Sequence, residues 1–427
     1  MKEDLIRYID EHKEEIYALG DALFTHPELG FKEVKTGEII RAYMNEHDLK
    51  VDQTYALTGF SITLGSGYPH IGVIAELDAI PTKGHPFADK DTTAAHACGH
   101  STQVTITLAA LSALKEEMEN LEGRVTLFFT PAEEFTDLAY RRELVKEGKV
   151  PFMSGKEVML YEHVLDDVDC IIHLHAMGDK NYHFSIDSVL SGFVHKRIIF
   201  EGKSAHAAMG PSEGINALHE CTLFINALNM LRETFREEDV VRVHGIINDG
   251  GNTVNSIPGR VEYECYVRSV NPDVLQSLSQ KITAAAKHCA AALGGNAIVE
   301  DTPGYLPLHQ SKELNEVIHE NILHFAKEEE IKWHEYSAAA GDVGDICMFK
   351  PIVQYGYNGI SGSIHGADMA IADKEEVYIT QAKVVAMSIY DLLKDHSKVE
   401  KIKNGFKAKM TYEEYVAYLR GEKEQNE

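Results

Sequence analysis

Two short runs constrain this chain more than any other feature: residues 124–130 (RVTLFFT) and 170–175 (CIIHLH). Both are brief and nearly all apolar, the mark of strands buried on both faces. Strands of that kind need a helical layer on each side, and helix-period stretches do surround them. Leu5, Ile6, Ile9, Ile16 and Leu19 recur at helical spacing, and residues 104–114 form a further helix. HPELGF (26–31) breaks the first helical run, and residues 61–64 and 70–75 read as strands joined by a Gly-rich turn. Strands alternating with helices predict a three-layer α/β domain with a largely parallel sheet.

From about Ser188 the texture changes. HKRIIFEGK (195–203), VVRVHGIIND (240–249), GRVEYECYVRS (259–269) and NAIVED (296–301) read as strands. The segments 216–235 and 274–293 between them read as helices. The order β-α-β-β-α-β is that of a ferredoxin-like α+β sandwich. The α/β pattern resumes after Pro307, so one domain interrupts the other. The expected division is a discontinuous catalytic domain over 1–187 and 304–400, an insert over 188–303, and a charged helical tail over 401–427.

Composition narrows the partners. The chain has 427 residues, 44% hydrophobic and 25% charged, an ordinary globular balance. Its formal net charge is −26, which argues against nucleic acid, since phosphate binding needs clustered Lys and Arg. No apolar run approaches a membrane span, and the N-terminal residues are charged and amphipathic, unlike a signal or transit peptide. Six scattered cysteines form no framework and read as reduced thiols of a cytoplasmic protein, five of them buried packing residues.

In open α/β sheets ligands bind beyond the carboxyl ends of the strands. Here several strand ends deliver metal-ligand residue types. RVTLFFT runs into PAEE with Glu133 and Glu134, CIIHLH carries His173 and His175, and GVIAELDAIP carries Glu76 and Asp78. HACGH places His96, Cys98 and His100 before a helix, and His365 follows a late strand. Thiolate, imidazole and carboxylate together suit zinc and its neighbours. Chance in a chain with 22 histidines is the rival reading of HACGH alone. His173 and His175 point to one face of a strand, so one suits a ligand and the other a packed histidine.

The ordered set HPELGF, LDAIP (77–81), HACGH (96–100), TPAEE (130–134), HLH (173–175), GKSAHAAMGPSEGINAL (202–218), GGNTVNSIPGRVEYECYVR (250–268), GDVGD (341–345) and His365 resembles the dimetal amidohydrolases and peptidases that include aminoacylases, p-aminobenzoyl-glutamate hydrolase and indole-acetyl-amino-acid hydrolases. HGII, GGNTVNSIP and DVGD lean toward the p-aminobenzoyl-glutamate hydrolase branch. The resemblance implies a zinc-peptidase-like catalytic domain with an inserted dimerisation domain, holding one or two zinc or manganese ions. It assigns Cys98, His100, Glu134, His175 and His365 as metal ligands, with Asp78 orienting a ligand from behind. Glu133 would be the catalytic base. His206 would reach into the site of a partner subunit, and Asn255 and Arg268 would hold the substrate's carbonyl and carboxylate. The implied partners are a small carboxylate-bearing substrate and a second copy of the chain, with no nucleic acid and no membrane.

Four positions depart from the family's usual pattern. Ser101 and Gln103 follow CGH where Asp or Asn and then His are usual, Glu76 stands where Asp or His is usual, and Gly341 precedes DVGD in place of Thr or Glu. The expected activity is hydrolysis of N-acyl amino acids, aminobenzoyl amino acids or small dipeptides. The alternatives are hydrolysis of a non-peptide C–N bond, such as deamination of an aromatic amine, and a non-catalytic binding protein.

Overall fold

The computed structural model describes residues 2–421, and the last six residues of the expected tail lie outside them. The chain forms two compact units. The first comprises residues up to Ser188 together with His309–Glu335 and Asp345–Thr411. The second comprises Val189–Leu308 with Tyr336–Gly344 and the last described helix, Tyr412–Leu419. Tyr336–Ser337 belongs there because it pairs in parallel with Val189–Leu190.

The first unit is built on an eight-stranded mixed sheet. At its centre lie, side by side and parallel, Gly123–Thr130, His70–Glu76, Cys170–Ala176 and Ile352–Tyr357. Gly59–Ser66 and Gln53–Tyr55 extend one edge with antiparallel pairing. Phe184–Ile186 pairs antiparallel to Ile352–Tyr357, and Ile331–Trp333 adds to it in parallel. The sheet is therefore parallel where it is most buried and mixed at its flanks. Every residue of His70–Glu76 is buried, the polar His70 and Glu76 at its ends included. The helix His100–Lys115 packs on this sheet beneath the helices Lys13–Phe24 and Gln381–Lys394, and is buried from His100 to Leu114. It starts one turn earlier than the sequence pattern suggests. Ser101, Thr102 and Gln103 look like loop residues by type, yet all three are buried.

Because the four central strands run the same way, their carboxyl ends share one edge of the sheet. Glu76 lies level with Thr130, and His175 with Gly356. This edge collects the polar residues described below.

The second unit has the order expected of a ferredoxin-like sandwich. Its four-stranded antiparallel sheet runs Arg242–Asp249, Arg260–Ser269, Gly192–Glu201, Asn296–Pro303. Burial alternates strictly along Arg260–Ser269, so Val261, Tyr263, Cys265 and Val267 face the helices Ala217–Leu231 and Pro272–Ala292. Asn216 and Asn271 cap these helices by accepting backbone N–H groups.

All six cysteines are free thiols. Cys170, Cys221, Cys265 and Cys347 are buried packing residues, while Cys289 is only half-buried, one fewer than the sequence reading expects. No helix among the described residues is long and apolar enough to cross a membrane.

Candidate metal centre

Local backbone geometry sets the site. Gly99 has φ +95° and opens the helix that begins at His100. A Cβ there would stand 2.8 Å from the Ala176 Cβ, so only glycine fits. Past the strand Gly123–Thr130, Ala132 adopts φ +55° and turns the chain so that the Glu133 and Glu134 N–H groups donate to the two carboxylate oxygens of Asp78, at 3.1 and 3.0 Å. His365 also has φ +63°, and its N–H donates to the Ala97 carbonyl at 2.7 Å, which ties its loop to HACGH.

These turns gather the five predicted ligands into two triads. Cys98, His100 and His175 form one, and Cys98, Glu134 and His365 the other, each with donor atoms within 4.8 Å of one another. The Cys98 sulfur is common to both. It stands 3.5 Å from His175 Nε2 and 3.3 Å from His365 Nε2, while His365 Nε2 is 3.3 Å from Glu134 Oε1. Glu133 joins His100 and Glu134 in a further group, its carboxylate 3.8 Å from His100 Nε2.

The imidazoles are set for ligation. His100 Nδ1–H donates to the Asp78 carbonyl at 2.9 Å, and His175 Nδ1–H donates to the Ala176 carbonyl at 2.8 Å. With Nδ1 so engaged, each ring turns its Nε2 toward the cluster, the usual arrangement behind a metal-bound histidine. His100 Nε2 and Glu134 Oε1 are buried and make no hydrogen bond. Burial pushes the His175 ring down to about 4, keeping it neutral. Burial, and then the Glu134 carboxylate, raise the Cys98 thiol well above its ordinary range. Burial opposes charge on His100, yet the Cys98 sulfur, Glu76 and Asp78 outweigh it and hold that ring well above its usual value. Such a centre calls for positive charge, and a divalent cation is what would favour the Cys98 thiolate. Thiolate, imidazole and carboxylate donors together are of the types that bind a divalent transition metal.

Behind the triads sits a second buried cluster around Glu76. Lys156 Nζ lies 2.6 Å from Glu76 Oε1, and His173 Nε2 is 3.2 Å from the same oxygen. Gln103 Nε2 donates to Oε2 at 2.7 Å, and His100 Nε2 lies 3.1 Å from it. Burial alone would raise the Glu76 pKa, but Lys156, His173 and His100 reverse that and hold it well below the carboxylate range. His173 is thus the packed histidine of the pair, its Nδ1 hydrogen-bonded to Gln354 at 3.1 Å. Glu76 and Gln103, two of the four departures, are partners of each other. Ser101 is buried, and its hydroxyl makes no hydrogen bond. His96 is buried with neither ring nitrogen hydrogen-bonded, and it belongs to no donor group. HACGH is therefore a Cys98–His100 pair with a packed histidine before it. Lys156 was invisible in the sequence, since a lysine at the start of a short helix is ordinarily solvated.

In the second unit, His206 and Asn255 come together, with the Asn255 amide 3.2 Å from His206 Nε2. The Ala208 and Met209 N–H groups both donate to His206 Nδ1. His206 is exposed. Arg268 is half-buried, donates to the Ala338 carbonyl at 3.0 Å and lies over the Phe193 and Tyr266 rings.

Comparison with known proteins agrees with this geometry. Residues 72–389 match the profile of peptidase family M20/M25/M40. An N-acetyl-L-cysteine deacetylase of Bacillus subtilis is 29% identical over 296 residues, covering 67% of each chain. The human Xaa-Arg dipeptidase is 26% identical over 440 residues, 96% of this chain and 92% of its own. Among solved structures, a dinuclear metal-binding M20 peptidase of Bacillus subtilis superposes with a TM-score of 0.70 at 20% identity, covering 90% of this chain and 99% of its own.

Proposed function

The chain belongs to peptidase family M20/M25/M40 and is a metallo-amidohydrolase, and from that premise we propose that it uses two divalent ions to cleave N-acyl amino acids, aminobenzoyl amino acids or small dipeptides. The observation that carries this reading is the pair of donor triads sharing the Cys98 sulfur, with the Glu133 carboxylate alongside. Cys98, His100, His175, Glu134 and His365 would hold the zinc or manganese ions. Bound there, such ions lower the pKa of a coordinated water and polarise a carbonyl.

The protein's own groups do the rest. Glu133 accepts the proton of the attacking water and returns it to the leaving nitrogen as the C–N bond breaks. Asp78 keeps Glu133 and Glu134 aimed through their N–H groups and backs His100. Arg268 offers its remaining N–H groups to a substrate carboxylate, and Asn255, which adjoins His206 on the same chain, goes with it to the substrate carbonyl. His206 of the partner subunit donates a hydrogen bond to the oxyanion. A homodimer through the inserted unit is part of this reading. It is supported by the edge strand Arg242–Asp249, where Ile246 and Ile247 are exposed beside unpaired backbone groups. A cytoplasmic location completes the reading, supported by the six free thiols.

The test is turnover by zinc- or manganese-loaded protein on a panel of N-acetyl and aminobenzoyl amino acids and small dipeptides, with and without a chelator. Chelator-sensitive hydrolysis of one of these classes is expected. Turnover confined to aromatic amines would replace the reading with the deaminase alternative, and no turnover of anything on the panel would overturn it.

A further inference from the structure

The segment HPELGFKE, residues 26–33, has no role in the chemistry above, yet it touches both loops that carry the acidic residues. Glu28 accepts the N–H groups of Lys35 and Thr36 at the start of the helix Val34–Glu46, at 3.1 and 2.8 Å. Its backbone carbonyl accepts the Ala79 N–H at 2.7 Å, just past Asp78. Glu33 reaches the other loop. One of its oxygens accepts the Ala132 N–H at 2.9 Å, and the other accepts the Thr58 hydroxyl at 2.6 Å. From the opposite side, Arg141 Nη1 donates to the Ala132 carbonyl at 3.2 Å and to the Met153 carbonyl at 2.9 Å. Both Glu33 and Arg141 are buried. Gly30 permits the close approach, because a Cβ there would stand 2.7 Å from the Ala132 Cα and 2.2 Å from Arg141 Nη2.

Two features make this arrangement more than packing. Ala132 holds φ +55°, a left-handed conformation that an L-residue without a polar side chain avoids unless its surroundings impose it. A buried carboxylate and a buried guanidinium are also costly, and here each gives one of its contacts to a polar group of that one alanine, Glu33 sharing the rest with Thr58 and Arg141 with Met153 and, at 3.8 Å, the Asp78 carboxylate. The next two residues are Glu133 and Glu134. A relaxed Ala132 would rotate their N–H groups away from Asp78 and swing both carboxylates out of the triads.

We propose that Glu33 and Arg141 are positioning residues that clamp Ala132 in its left-handed conformation and thereby aim the Glu133 base and the Glu134 ligand. The inference rests on the proposed function for the roles of those two glutamates. Its test therefore includes a readout that needs no substrate.

Full-length Glu33→Ala, Glu33→Gln, Arg141→Met and the double variant Glu33→Ala/Ala132→Gly are loaded with cobalt(II). Retention of cobalt against a chelator, the cobalt absorption spectrum, kcat and KM are measured. Glu33→Ala and Arg141→Met should lose about 10- to 100-fold in cobalt affinity and in kcat, at nearly unchanged KM, the usual effect of removing a residue that orients a ligand. Glu33→Gln should stay within about threefold of the parent, because its amide oxygen still accepts the Ala132 N–H. Adding Ala132→Gly should restore much of what Glu33→Ala loses, since glycine takes the left-handed conformation freely. Parent-like cobalt affinity, spectrum and kcat in folded Glu33→Ala, or no recovery with Ala132→Gly, would overturn the clamp. Should Glu33→Ala not fold, Arg141→Lys with and without Ala132→Gly gives the same comparison. If the parent hydrolyses no amide, the function reading fails while the cobalt measurements still decide the clamp.

Discussion

Replacing Lys156 by Met removes one half of a fully buried ion pair while keeping most of the side-chain volume. Glu76 would keep the Gln103 amide at 2.7 Å and the His173 ring at 3.2 Å, but lose the ammonium at 2.6 Å. Breaking a buried pair from one side costs about 3–5 kcal/mol, because the remaining charge is left uncompensated. With a urea dependence of about 3 kcal/mol per molar, the unfolding midpoint should fall by about 1–1.7 M. The chain's single tryptophan, Trp333, lies in the strand that extends the main sheet, so its fluorescence reports on this unit. Glu76→Gln should cost a similar amount. The double variant Lys156→Met/Glu76→Gln, which leaves no buried charge at either position, should be about 1–2 kcal/mol more stable than either single variant. If the two losses simply add, or if Lys156→Met leaves the midpoint unmoved, the pair is not the hub of this cluster.

Three further outcomes follow from the site. Glu133→Gln should retain its metal and fold while kcat falls by about 10²- to 10⁴-fold, since the amide cannot take up a proton; metal analysis with steady-state kinetics checks this. Mixing inactive His206→Ala with inactive Glu133→Gln should restore partial activity once subunits exchange, because one site of each mixed dimer then has both groups; demonstrated exchange with no activity would remove His206 from the partner's site. Burial, and then the Asp78 carboxylate, push Glu33 up to about 7 from 4.5. The folded state therefore holds a proton that the unfolded chain has released, so this group's favourable contribution is full below about pH 4.5 and fades as pH rises to about 7, a loss of about 3 kcal/mol. Glu33→Gln should flatten that part of the stability–pH curve, as urea midpoints at pH 5 and pH 8 would show, and an unchanged slope would contradict it.

What could be read from the sequence follows burial. Gly123–Thr130 and Cys170–Ala176 are enclosed on both faces, so their composition declares them strands. Strict alternation made Arg260–Ser269 equally plain. Strand-end position marks Glu76, Asp78, Glu133, Glu134, His173, His175 and His365 as candidates, with HACGH just before a helix, but the choice of Cys98, His100, Glu134, His175 and His365 as ligands comes from the family resemblance. The supporting charges could be listed in neither way. Lys156 lies 80 positions from Glu76, and Arg141 stands in a run, LAYRREL, that reads as a solvated helix. A lone charge in such a stretch is ordinarily exposed, and only the fold reveals that these two are not. Glu33 adjoined a quoted motif, but nothing in the pattern said that its carboxylate would meet the backbone of Ala132. The first turn of the His100–Lys115 helix was hidden for the same reason, its buried residues being polar by type.

The central claim is that the two donor triads joined at Cys98 would hold two ions. The most direct measurement is metal content per chain, by elemental analysis after zinc loading and exhaustive dialysis, of the parent, His175→Ala, His365→Ala and Cys98→Ala proteins. The account predicts about two ions in the parent, about one in each histidine variant, and less than one in Cys98→Ala, which loses a donor from both triads. Two ions retained in Cys98→Ala, or none in the parent, would contradict it.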